Sequence, residues 1–125
     1  MYIQNPYDQY RKQSILTASQ NELTLMLYNG CIKFINKTKL AIEEKDFGLA
    51  HEYNMRARAI IEEFMSTLNM EVEIAQKLYM IYEYLLRRLQ EANLKKDVAI
   101  LDEVLRHVTK LRDTWEQVMK QGAGK

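Results

Sequence analysis

Hydrophobic residues along most of this chain recur at steps of three and four, the spacing that gathers side chains on one side of an α-helix. The cleanest run is Leu101, Val104, Val108, Leu111, Trp115 and Val118, a single heptad seam. Ala50, Tyr53, Ala57, Ile60, Phe64 and Leu68 draw a second one. Breaks between the periodic runs carry helix-start signals. Ser19-Gln20-Asn21-Glu22 is a capping box, with a serine cap and a glutamate three residues on. It opens a helix expected over about Gln20–Glu44. Asp46 is the expected cap of a second helix running to about Leu68, with Gly48 weakening only its first turn. A third is expected over about Val72–Leu94, followed by Lys95-Lys96, whose charge suits a helix C-terminus. Asp97 caps a fourth, ending near Lys120. Connections this short make neighbouring helices antiparallel. The expected architecture is therefore all-α: an up-down four-helix bundle over residues 19–120, after a leader of residues 1–18 and before a disordered tail of residues 121–125.

Two of the helices carry more apolar surface than a bundle core uses. The first has one seam at Leu25, Tyr28, Ile32, Ile35 and Ile42 and another at Leu23, Leu27, Cys31, Phe34 and Ala41. Together they cover an arc of roughly 200°. The third has Ile74, Leu78, Ile81, Leu85, Leu89 and Ala92, beside a row of Ala75, Tyr79, Tyr82, Leu86 and Asn93, with Met80 and Tyr84 on yet another side. A thick core accounts for any one of these residues. The pattern as a whole points to a surface that takes up a partner's apolar face. The leader is itself apolar, with Tyr2, Ile3, Tyr7, Tyr10, Ile15 and Leu16. Asn5-Pro6 can start one helical turn there that places Tyr7 and Tyr10 together. Such a segment is expected to cover the apolar surface until a partner displaces it.

Composition supports long helices: one proline and four glycines among 125 residues, with 28% charged and 47% hydrophobic. Net charge is +1, from 18 basic and 17 acidic residues, which gives no nucleic-acid footprint. The single cysteine, Cys31, lies in an apolar run and reads as a core thiol. No apolar run is long enough for a membrane span, and the first residues lack the pattern of a signal peptide, so a cytosolic location is expected.

Catalytic constellations are missing. A di-iron bundle needs Glu-x-x-His on two helices, but Gly48 and Val104 stand three residues before His51 and His107. There is no Gly-rich phosphate loop, cysteine pair or nucleophile elbow. A binding protein without enzyme activity, metal or cofactor is expected.

The ordered fragments resemble the FliS family, the cytosolic export chaperones of flagellin. The likeness runs from Asn5-Pro6-Tyr7 and Tyr10 through Thr17-Ala18-Ser19 to Glu22-Leu23-Thr24-Leu25-Met26-Leu27-Tyr28-Asn29-Gly30. It resumes at Leu78, Tyr79, Tyr82, Tyr84, Leu85, Arg88-Leu89 and Ala92-Asn93. It ends at Asp97, Leu101, Asp102-Glu103-Val104, Leu111-Arg112 and Trp115. Two departures stand out: Gln20 replaces the proline common after the cap serine, and no glycine marks the turn Leu68-Asn69-Met70-Glu71-Val72-Glu73.

The resemblance implies an antiparallel four-helix bundle with an N-terminal cap. It implies a client, the disordered C-terminal segment of flagellin, which is kept from polymerising and delivered to the flagellar type III export gate. On that basis Tyr7, Tyr10 and Ile15 are the expected cap residues. Leu25, Tyr28, Tyr79, Tyr82, Leu86 and Asn93 are the expected client contacts, Asn93 as a polar contact or as a cap of the third helix. Gly30 either admits a client backbone or relieves helix packing. The free protein is expected to be a monomer or weak homodimer without membrane insertion. The competing expectation is a homodimeric structural bundle with no disordered client.

Overall fold

The computed structural model describes residues 20–123, with side chains as far as Gln121. Four helices follow one another: α1 (Gln20–Glu43), α2 (Phe47–Ser66), α3 (Glu73–Lys95) and α4 (Val98–Ala123). Each packs on its chain neighbours, and α4 returns to α1 to close the ring.

The direction of each pair can be read from its contacts. Between α1 and α2, Tyr28 meets Phe64 with ring centroids 4.5 Å apart, and Phe34 meets Tyr53 at 6.2 Å. Between α2 and α3, Phe64 stacks on Tyr82 and Asn54 donates to the Leu89 carbonyl at 3.0 Å. Between α4 and α1, Lys39 pairs with Asp102 and Arg112 donates to Asn29. In every pair one residue number rises as the other falls, so the bundle is antiparallel, up-down-up-down.

The caps form largely as their residue types dictate. The Asp46 carboxylate accepts the Leu49 N–H at 3.1 Å, and Asp97 accepts the Ala99 N–H at 2.9 Å. Two tight corners are made without glycine. Lys45 (φ 61°) and Lys96 (φ 53°) adopt the left-handed conformation that ends a helix. The N–H groups of Asp46 and Asp97 then reach back to the carbonyls of Ala41 and Ala92. The third corner also dispenses with glycine, because the Asn69 side chain accepts the Glu71 N–H and shapes the turn. The Ser19 cap, the leader and Gly124-Lys125 lie outside the described residues. α1 and α2 stop one and two residues short of expectation, at Glu43 and Ser66, while α4 runs three residues past Lys120.

Ile35, Ile61, Leu85, Leu89, Leu101, Val104 and Val108 are fully buried and form the centre of the core. Each contributes about 1.5–3 kcal/mol through burial. Ala50, Ala57 and Ala92 let the helices approach. On α1 the buried stripe runs between the two expected seams, through Tyr28, Cys31, Ile35, Thr38 and Ala41. Burial pushes the Cys31 thiol up to about 12. Asn54 occupies a core position of α2 that no hydrophobic pattern reveals.

The seams do not stay buried along their whole length. On α4, Leu101, Val104 and Val108 are enclosed, Leu111 and Trp115 are half-buried, and Val118 is 53% exposed. On α3, Ile74 (61% exposed) and Ile81 lie open although they belong to the same periodic row as Leu85 and Leu89. The two helices therefore leave the core together, on facing sides.

Candidate functional site: an apolar groove between α3 and α4

Where the seams leave the core, an open groove of about 1080 Å³ lies between the first half of α3 and the second half of α4. Its lower end is fixed by a polar tie. The Tyr84 hydroxyl donates to Glu103 at 2.6 Å, and Arg88 Nε donates to the other oxygen of the same carboxylate at 2.7 Å. These two hydrogen bonds hold the Glu103 carboxyl below its ordinary range. They also push the Tyr84 and Arg88 pKa values up. The rings of His107 and Tyr84 stand nearly perpendicular, with centroids 6.3 Å apart.

The floor is aromatic. Tyr28 of α1 and Tyr82 of α3 reach across the bundle until their hydroxyls meet at 2.7 Å, with Phe64 against both rings. Burial is the main cause that raises the pKa of both tyrosines, so both stay neutral. The walls are Ile74, Leu78 and Ile81 on one side and Leu111, Trp115 and Val118 on the other. Met80, 71% exposed, stands at the rim. The Trp115 indole N–H donates to the Asn21 carbonyl at 3.0 Å, which anchors the start of α1 beside the groove.

Of the residues singled out from the sequence, Tyr28 and Tyr82 are brought together here, as a buried floor and not as a row offered to solvent. Tyr79, Leu86 and Asn93 follow one another every seven residues on the opposite flank of α3. The hydrogen bond between Asn93 and His51, at 2.8 Å, shows that this flank faces α2. Lys96 also donates to Asn93. Leu25 is half-buried on α1 and does not border the groove. Gly30 faces α2, and a Cβ there would sit 3.4 Å from Ile60 Cδ1, in ordinary contact. Tyr7, Tyr10 and Ile15 lie outside the described residues. The periodic pattern contained Ile74, Ile81, Trp115 and Val118 but placed them in core seams. The excess width of the α3 stripe was a signal for Ile74 and Ile81, whereas Trp115 and Val118 sit in the single clean seam of α4, which gave none.

Among the described residues no cluster of His, Cys, Asp and Glu could hold a metal ion. No described helix is long and apolar enough to cross a membrane. The arrangement offers apolar surface rather than reactive groups.

Comparison with known proteins bears on that arrangement. A family model described as flagellar protein FliS matches residues 3–122. A flagellar secretion chaperone FliS from Bacillus subtilis is 45% identical over 96% of this chain and 90% of its own length. A protein of the same name from Salmonella typhimurium is 29% identical over 86% and 82%. A bacterial flagellar chaperone known from its crystal structure has the same fold, with a TM-score of 0.76 at 17% identity over 93% of this chain and 99% of that one. The chain belongs to the FliS family of flagellar proteins.

Proposed function

We propose that this protein is a cytosolic export chaperone for flagellin. It binds the disordered C-terminal region of newly made flagellin, prevents premature polymerisation and aids delivery to the flagellar type III export apparatus. The observation that carries this reading is the groove between α3 and α4. Ile74, Met80, Ile81 and Val118 are large, apolar and exposed along one continuous cleft. A surface of this kind is an aggregation liability unless something covers it. A disordered client must offset its lost conformational freedom with a large contact area, and a long apolar groove with an aromatic floor supplies it. The names of the relatives agree with this role.

Gel filtration and calorimetry with a flagellin C-terminal segment test the proposal. The expected result is a one-to-one complex. A stable homodimer that ignores the segment would overturn it and favour a structural bundle without a disordered client.

A further inference from the structure

The face of the bundle opposite the groove carries a different chemistry. Packing runs in a ring from α1 to α4 and back, so the α1–α2 face and the α3–α4 face look away from each other. On the α1–α2 face, Phe34 and Tyr53 stack with ring centroids 6.2 Å apart. Three cations stand over these rings. Lys33 and Arg56 each lie 5.7 Å from the centre of Phe34, and Lys37 lies 5.3 Å from that of Tyr53. Lys33 and Lys37 are one turn apart on α1, a spacing at which like charges repel. Neither has a carboxylate partner among the described residues. Arg56 has a long contact to Glu52, at 3.5 Å. The rings hold these long side chains in place, which lowers the ordering cost of pairing them with an anion.

The surface around the cations has a definite order. Met26, Lys33 and Leu40 follow at seven-residue steps on the outer side of α1, with Met26 42% and Leu40 53% exposed. Acids stand only further out. Glu22 is one turn before Met26 and is already engaged, Glu43 and Glu44 are one turn beyond Leu40, and Glu62 and Glu63 are about two turns beyond Arg56. The stripe thus reads apolar, basic, basic, apolar, with acids outside it. A second copy lying antiparallel on the same stripe about a two-fold axis would set lysine against lysine. The leader carries Asp8 against Arg11 and Lys12, the wrong sign to cover this patch. Nucleic acid fits poorly too: net charge is only +1, and rings already occupied by cations offer bases little to stack on.

We propose that the α1–α2 face docks an acidic segment of a partner protein. Its carboxylates meet Lys33, Lys37 and Arg56, and its apolar residues lie to either side, over Met26 and Leu40. The site is separate from the groove and does not depend on what fills the groove.

The test uses the full chain and a fluorescein-labelled peptide of about 15 residues, the length of the stripe from Met26 to Leu40, with glutamates at its centre and leucines toward both ends. Fluorescence anisotropy at low salt should show binding, about tenfold weaker for a twin peptide with glutamine in place of glutamate. Lys33→Glu/Lys37→Glu should also weaken it about tenfold, and the gentler Lys33→Gln/Lys37→Gln should act in the same direction. Lys77→Glu/Lys120→Glu makes the same change in net charge on α3 and α4, and should alter binding by less than about twofold. Circular dichroism should be unchanged in all three variants. Failure of the acidic peptide to bind, equal binding of its twin, equal losses in the two Lys→Glu pairs or tighter binding of an oligothymidine of the same length would overturn the proposal. So would a dimer in gel filtration that Lys33→Glu/Lys37→Glu dissolves. Displacement of the peptide by a flagellin C-terminal segment would also overturn it, by making this face part of the client site.

Discussion

Replacing Tyr28 and Tyr82 by phenylalanine, singly and together, probes the floor of the groove directly. The two hydroxyls are each other's partners at 2.7 Å, in a site where both side chains are almost entirely buried. Tyr28→Phe removes one hydroxyl and leaves the other buried without a partner. That orphaned group costs about 1–3 kcal/mol, and Tyr82→Phe is symmetrical. The double replacement removes both hydroxyls and leaves an all-hydrocarbon floor of nearly the same shape around Phe64, which should cost little. The double variant should therefore be more stable than either single one, with a coupling energy close to the sum of the two single losses, about 2–6 kcal/mol. Urea denaturation of the four proteins measures it. Each kcal/mol corresponds to about 4 °C in Tm for a chain of this length. If the double variant loses the sum of the two single losses, the hydroxyls are not mutual partners and the description of the floor is wrong.

Three further outcomes follow from the same geometry. Ile81→Asp, on the groove flank of α3, should weaken binding of a flagellin segment at least tenfold, which corresponds to about 1.4 kcal/mol. Leu86→Asp, on the flank facing α2, should reduce it less, and the reverse order in calorimetry would move the client to the other side of α3. Stability should be full below about pH 9 and should fall as pH rises. In the unfolded chain Cys31 and the tyrosines release protons near their ordinary values of 9.0 and 10.0, while burial keeps them protonated in the fold. The slope is about 1.4 kcal/mol per pH unit for each such group. Urea midpoints between pH 7 and 11 would show it, and Tyr28→Phe/Tyr82→Phe should flatten the curve. Lys45→Gly should stabilise the protein by about 1 kcal/mol, because it relieves a left-handed conformation that costs an L-residue about that much. Thermal melting checks the gain.

Much of the bundle was legible in the sequence because its signals are local. Asp46 and Asp97 cap helices by bonding to N–H groups two or three residues away, and that chemistry depends on nothing beyond the turn. Periodicity gave the number of helices and, with short connections, their directions. Asn54 was invisible for the opposite reason. Its place in the core depends on the Leu89 carbonyl, 35 residues away, and its Oδ1 has no partner among the described residues. Lys45 and Lys96 are similar cases, since their left-handed geometry is imposed by the corner and not by residue type.

The groove was half legible. An excess of apolar surface on α3 was plain, but the pattern could not say which row would be buried. That choice is made by the neighbours: Phe64 and Tyr28 claim Tyr82 for the core, and the tie at Glu103 sets where α3 and α4 stay together. Once Tyr82 points inward, helical geometry turns Ile74 and Ile81 toward α4 and Tyr79 and Leu86 toward α2.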